Sequence, residues 1–188
     1  MSKFGMVEKK RDGVVVKRRL ILDAKASGVT QCGRKNERIM LPNVINFVFD
    51  TLDLHASCST HELLEWMILD ISDAFWTLGL RPEERRYFVG KLRGSFFMYE
   101  RLAQGSRGAP LAWCRFFALV MRITMAMFEK HESRAQAYVD DPALVSVVPM
   151  QQRRRAKALV ILAWRSLNLE LSFKTGQDWQ AVTWIGRK

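Results

Sequence analysis

A chain of 188 residues, 48% of them hydrophobic, is long enough for one packed domain or a closely joined pair of subdomains and fits a folded globule. Its formal net charge of +11 calls for an anionic partner, nucleic acid first, although charge alone also fits a ribosomal-type protein or a membrane-surface binder. Three scattered cysteines, Cys32, Cys58 and Cys114, make neither a disulfide framework nor a zinc spacing, so an intracellular, reducing setting is expected.

Lys and Arg punctuate the first twenty residues without an apolar core, which excludes a secretory signal at that position. Asp12-Gly13, between Lys9-Lys10-Arg11 and Val14-Val15-Val16, predicts a basic hairpin, and a next strand is expected through Leu20-Ile21-Leu22 to Asp23. Residues from Gln31 to Arg38 read as a loop. Leu41-Pro42 then opens a predicted helix with apolar Val44, Ile45, Phe47, Val48 and Leu52. A second loop is expected from His55 to His61, and no chemistry is assigned to either histidine. Trp66-Met67-Ile68-Leu69 is strand-like and brings Asp70 to a strand end, followed by Ile71-Ser72-Asp73-Ala74-Phe75.

Pro82-Glu83-Glu84 is a sound helix start, with acids in the first turn. One or two strands are expected between Tyr87 and Leu102, turning at Arg93-Gly94. The run from Leu102 to Pro110 holds Gly105 and Gly108. Beyond it a helix from Leu111 to Lys130 is predicted to bury Trp113, Phe116, Phe117, Val120, Ile123 and Met127. Arg115 and Arg122 interrupt that helix, so it does not read as a membrane span.

Tyr138-Val139-Asp140-Asp141 reads as a strand end and tight turn, with Ala135 to Val139 arriving and Ala143 to Val148 leaving. Pro142 cannot donate to a sheet ladder, so it is expected in the turn or at a strand edge. Adjacent carboxylates repel and are held together more easily around a cation, although Asp-Asp at a turn is also ordinary hairpin chemistry. Asp70 offers a third carboxylate from a distant segment. Hard cations such as Mg2+ take carboxylate and phosphate oxygens. Gln151 to Leu167 is an amphipathic helix with Arg153-Arg154-Arg155 near its start, and Leu169 to Lys174 alternates as a strand ending in lysine.

In order and spacing, these segments resemble the motifs of reverse transcriptases, the RNA-directed DNA polymerases of retroviruses and retroelements. Asp70 to Phe75 is similar to motif A, and Leu102-Ala103-Gln104-Gly105 with Gly108 and Pro110 to motif B, Ala103 standing for the usual proline. Tyr138-Val139-Asp140-Asp141 is similar to motif C, Lys174 to the motif D lysine, and Val182-Thr183-Trp184-Ile185-Gly186 to the primer grip. Arg19, four residues before Asp23, matches a phosphate-binding arginine of the fingers; Lys9, Lys10 and Arg11 compete for a second such place.

The resemblance implies an α+β fold: a right-hand polymerase palm, ferredoxin-like, its antiparallel sheet backed by helices, with partial fingers. Fingers are expected at 1–41 and 81–103 and palm at 42–80 and 104–188, with thumb and RNase H absent and belonging to the remainder of a longer polyprotein. It further implies two Mg2+ ions, or Mn2+ in their place, held by Asp70, Asp140 and Asp141. Arg19, Asp73, Phe75, Gln104 and Gly105 are then nucleotide-binding, Lys174 a general acid, and Trp184, Ile185 and Gly186 the primer grip. The implied partners are an RNA or DNA template with its primer and deoxyribonucleoside triphosphates, with no membrane. A truncated, non-catalytic nucleic-acid-binding remnant is the alternative. An RNA-copying RNA polymerase is disfavoured because Phe75 stands where such enzymes carry aspartate.

Overall fold

The computed structural model describes residues 3–32, 37–58, 64–147, 149–179 and 182–185. It divides into two compact units, one of Met1–Ile39 with Phe75–Trp113 and one of Met40–Ala74 with Cys114–Lys188.

In the first unit, β1 (Lys3–Arg11) and β2 (Val14–Asp23) form an antiparallel ribbon. Asp12 and Gly13 both take positive φ, 50° and 78°, as a two-residue type I′ turn requires and as the Asp-Gly pair favours. The two expected strand runs after the turn are one strand. A short helix, α1 (Val29–Cys32), occupies the start of the expected loop. After a 3-10 turn at Ala74–Thr77 and helix α3 (Pro82–Arg85), strands β4 (Val89–Leu92) and β5 (Ser95–Met98) pair around Arg93-Gly94. Phe4 meets Tyr99 at 6.2 Å between ring centroids, and Tyr99 stacks on Trp76 at 5.4 Å. Gly90 gives the Phe4 ring its seat: a Cβ there would lie 2.3 Å from the ring.

The second unit begins with α2 (Val44–Ser57). Its start is set by Asn43 and not by Leu41-Pro42. Asn43 Oδ1 accepts from the Asn46 N–H at 3.0 Å, and Asn46 Oδ1 accepts from the Asn43 N–H at 2.8 Å, a capping box made of two asparagines. The helix runs on through His55, where a loop was expected. Phe47 and Leu54 face the core, whereas Ile45, Val48 and Leu52 are exposed.

Then follow β3 (Leu64–Ile71), α4 (Ala109–Met125), β6 (Ser133–Tyr138), β7 (Asp141–Val147), α5 (Met150–Ser166) and β8 (Leu171–Trp179). Among the described residues the four strands form one antiparallel sheet in the order β6-β7-β3-β8. With α4 and α5 as crossovers this is the βαββαβ arrangement of ferredoxin-like domains. One face packs Ile68, Ala143, Val145 and Val147 against Phe47, Leu54 and Trp184. Strand alternation turns Met67, Leu69 and Leu144 to the opposite face, where α5 is tied down by Lys157. Phe117 and Trp164 meet edge to face at 5.9 Å, and the Trp164 indole N–H donates to Thr124 Oγ1 at 2.7 Å, joining α4 to α5.

Helix α4 differs from expectation. It starts at Ala109, ends at Met125, and buries Trp113, Phe117, Val120, Met121 and Thr124, leaving Ile123 and Met127 exposed. Phe117, Val120, Met121 and Thr124 follow Trp113 by four, seven, eight and eleven residues, which is one face of a helix. Among the described residues, no helix is long and apolar enough to cross a membrane.

Lys157 Nζ donates to Glu65 Oε2 at 2.7 Å and to Asp178 Oδ1, bridging α5 to β3 and β8. Burial acts to lower the ammonium pKa, but the hydrogen bonds to Asp178 and Glu65 outweigh it and the net shift is upward. Lys157→Met would remove the cation that joins Glu65 to Asp178. It is expected to lower stability by about 2 kcal/mol, less than for a fully buried pair, or roughly 4–8 °C in Tm for a chain of this size. An unchanged Tm in calorimetry would mean that the bridge is a solvent-screened surface contact.

Candidate active site

Asp140 lies in the two-residue connection between β6 and β7, and Asp141 is the first residue of β7, paired with Tyr138. Val139 has φ of 58° and Asp140 does not have positive φ, the sign pattern of a type II′ turn whose first central residue is usually glycine. A β-branched residue there is strained by about 1–3 kcal/mol. The surroundings hold the turn in place. The Trp184 indole N–H donates to the Asp141 carbonyl at 2.9 Å, and its ring packs on Phe47 at 5.1 Å. From the neighbouring strand, the Ile71 N–H donates to the Asp140 carbonyl at 3.1 Å.

The β3–β7 ladder runs from Leu64↔Val147 to Ile68↔Ala143 and stops there. Pro142, expected at the turn or a strand edge, is instead the second residue of a central strand. Its missing N–H coincides with the point where that ladder ends. Continuing the register two residues further sets Asp70 opposite Asp141. The two distant segments thus bring Asp70 and the aspartate doublet to one end of the sheet.

The carboxylates feel one another. Burial, then Asp70, then Asp140 push the Asp141 carboxyl from 3.8 up to about 6. Burial chiefly, and the Asp140 charge, also raise the Cys114 thiol, which keeps it protonated and unreactive. Asp70 Oδ2 accepts a hydrogen bond from Thr175 Oγ1 at 3.3 Å. Among the described residues, no three His, Cys, Asp or Glu side chains are drawn together into a ready-made cation cage. The aspartates stand near enough to repel without being clasped. All three offer hard carboxylate oxygens, the donor type that Mg2+ or Mn2+ takes, and their repulsion is what a divalent cation would relieve. A cleft of about 220 Å³ opens beside Val139, lined also by Leu41, Cys114, Phe117, Met121 and Gln136.

The sign of the Asp141 shift makes a prediction. The folded state holds this proton more tightly than the unfolded chain. Its contribution to stability is therefore full below about pH 4 and is lost as pH rises through about 6. Asp141→Asn removes the charge and is expected to raise Tm at pH 7.5 without added metal. The gain is about 1 kcal/mol after allowance for solvent screening, or roughly 2–4 °C. Below pH 4 the variant and wild type should melt together. A variant less stable than wild type at pH 7.5 would show that the three charges do not repel.

The remaining expected residues fall in both units. In the first unit, Arg19 is exposed on β2 and has no ion-pair partner among the described residues. Asp23 Oδ1 accepts from the Ala26 N–H at 2.9 Å and so closes the turn after β2. Phe75 is half-buried in the 3-10 turn, and Gln104 is half-buried before Gly105. Gly105 has φ of 96°, and a Cβ there would lie 2.7 Å from the Leu22 carbonyl oxygen, so only glycine fits at this approach to β2.

In the second unit, Asp73 is exposed with φ of 51°. Lys174 is exposed within β8, which runs to Trp179 and does not end at the lysine as expected. Trp184 is buried, so its side chain serves the core and the Asp141 carbonyl. Among the described residues, Val182 to Ile185 form no hairpin, and Gly186 lies outside them. Sequence reasoning passed over Thr175 and the indole N–H of Trp184, because neither contact has a local signal.

Residues 25–181 match the family model described as reverse transcriptase (RNA-dependent DNA polymerase). No curated protein matches the sequence. Among solved structures, the chain is similar to a foamy viral protease-reverse transcriptase in complex with double-stranded DNA, with a TM-score of 0.73 and 17% identity over 98% of this chain. It spans 28% of the length of that chain, and at such identity the likeness is one of fold. The family match, which takes in most of the sequence, carries the assignment: the chain belongs to the reverse transcriptase (RNA-dependent DNA polymerase) family.

Proposed function

We propose that this chain is the fingers and palm of a template-directed DNA polymerase, in which Asp70, Asp140 and Asp141 hold two Mg2+ ions. The observation that carries this reading is the β3–β7 register, with the Ile71 N–H on the Asp140 carbonyl at 3.1 Å, which brings Asp70 beside the doublet. When bound, such ions lower the pKa of the primer 3′-hydroxyl and offset charge on the triphosphate. In the first unit the exposed Arg19 guanidinium takes triphosphate oxygens, a planar fork matched to phosphate. Phe75 presents an apolar ring where a ribose would need hydrogen bonds. Gln104 contacts nucleotide or template, and Gly105 lets the backbone come close. In the second unit Asp73 lies beside the nucleotide, Lys174 Nζ gives a proton to the departing pyrophosphate, and the backbone of 184–186 steadies the primer end. The fingers are 1–41 and 81–103, the palm 42–80 and 104–188.

Primer extension on poly(rA)/oligo(dT), with and without Mg2+, tests the reading. Extension that depends on the cation is expected. Tight binding of the template-primer with no extension at any Mg2+ or Mn2+ concentration would instead make the chain a non-catalytic nucleic-acid-binding remnant.

A further inference from the structure

Strand β8 does not follow β3 smoothly past the aspartate. Ile68 pairs with Gln177 and Asp70 with Ser172, so Leu69 alone on β3 faces Phe173, Lys174, Thr175 and Gly176 on β8. The surplus residues form an enlarged bulge, and bulges re-aim side chains that a regular ladder would point elsewhere. Thr175 is the residue re-aimed. Its Oγ1 lies 3.3 Å from Asp70 Oδ2, 3.1 Å from Ser172 Oγ and 3.4 Å from the Ser172 carbonyl oxygen. A hydroxyl has one proton to give. The assignment that uses both hydroxyls has Ser172 Oγ–H donating to Thr175 Oγ1 and Thr175 Oγ1–H donating to Asp70 Oδ2.

We propose that Thr175, oriented by Ser172, is a positioning residue for Asp70: it occupies one carboxylate oxygen and leaves the other to a divalent cation. The proposal rests on the reading of Asp70 as a cation ligand. Carboxylates that bind metals are themselves held by hydrogen bonds, and loss of such a partner weakens metal affinity or activity by roughly 10–100-fold. The 3.3 Å separation places Thr175 at the lower end of that range. Lys174 shares the bulge, so the segment that orients Asp70 also carries the proposed proton donor.

The test uses the full chain with Thr175→Val, which keeps the shape and loses the hydroxyl, and Thr175→Ser, which keeps the hydroxyl. Mn2+ affinity is read from the electron paramagnetic resonance signal of the free ion, without nucleotide or primer. The Mg2+ concentration for half-maximal primer extension is read separately. Thr175→Val is expected to weaken Mn2+ binding about tenfold and to raise the Mg2+ requirement by a similar factor. Its Tm should stay within about 2 °C of wild type, since substitutions at exposed sites change stability little. Thr175→Ser should restore both metal readouts. Wild-type Mn2+ affinity in Thr175→Val overturns the proposal, as does equal impairment in Thr175→Val and Thr175→Ser, because a variant that keeps the hydroxyl would then fail as badly as one that lacks it. If wild type binds Mn2+ but extends no primer, the polymerase reading fails while the titration still decides the role of Thr175. A wild type that binds no Mn2+ removes both.

Discussion

Asp70→Asn or Asp140→Asn is expected to reduce primer extension by at least about 10³-fold, corresponding to roughly 4 kcal/mol of lost transition-state stabilisation. The amide is nearly the size of the carboxylate and keeps an acceptor oxygen, so the fold should survive. What it loses is the charge that would draw a hard cation to this end of the sheet. Template-primer binding should change less than about threefold at fixed salt, because affinity for a phosphate backbone comes from lysine and arginine, of which the chain has 30. The two measurements must therefore separate. Extension near the wild-type rate in either variant would remove that aspartate from the chemistry. Parallel loss of binding and extension would trace the defect to folding. Asp141→Asn has a different signature, a rise in metal-free Tm at neutral pH, because burial adds to the repulsion at that position.

Much of this site was legible because its signals are local. Asp12-Gly13 and Arg93-Gly94 fix two-residue turns through positive φ, and continuous apolar runs mark β3 and β7 as strands, β3 with an acid near its end and β7 with one at its start. Pairing two such strands antiparallel then brings Asp70 toward the doublet with little freedom left. Other features turn on partners far away in sequence. The apolar residues expected on α2, Val44, Ile45, Phe47, Val48 and Leu52, lie on more than one face; Phe47 is buried with Leu54, while Ile45, Val48 and Leu52 are exposed, and Asp50 meets Gln136 and Asp53 meets Arg134. Pro142 reads as an edge residue until β3 and β6 are both seen beside it. The bulge at Phe173–Gly176 is the clearest case. The alternation of Leu169 to Lys174 reads as an ordinary strand, and the register on either side of Leu69 shows that four residues face one.

Phe75→Ala is expected to bring ribonucleotide incorporation to within about tenfold of deoxyribonucleotide incorporation. A site that merely meets an extra hydroxyl, without a partner for it, rejects that substrate by roughly 10²-fold. Phe75 is five residues beyond Asp70, in the 3-10 turn that follows β3, and is half-buried. Its ring is therefore backed by protein and cannot swing freely aside. Truncation to alanine removes the wall and supplies no new donor or acceptor, so deoxyribonucleotide kcat/KM should fall little while the ribonucleotide value rises. The ratio of the two kcat/KM values, measured on one template, is the informative quantity, because a loss of packing would lower both together. A ratio unchanged from wild type would assign Phe75 to packing alone and leave nucleotide choice to other residues. A moderate fall in both values with a collapsed ratio would still support the wall, since the 3-10 turn is also the link by which Asp70 leads into the rest of the chain.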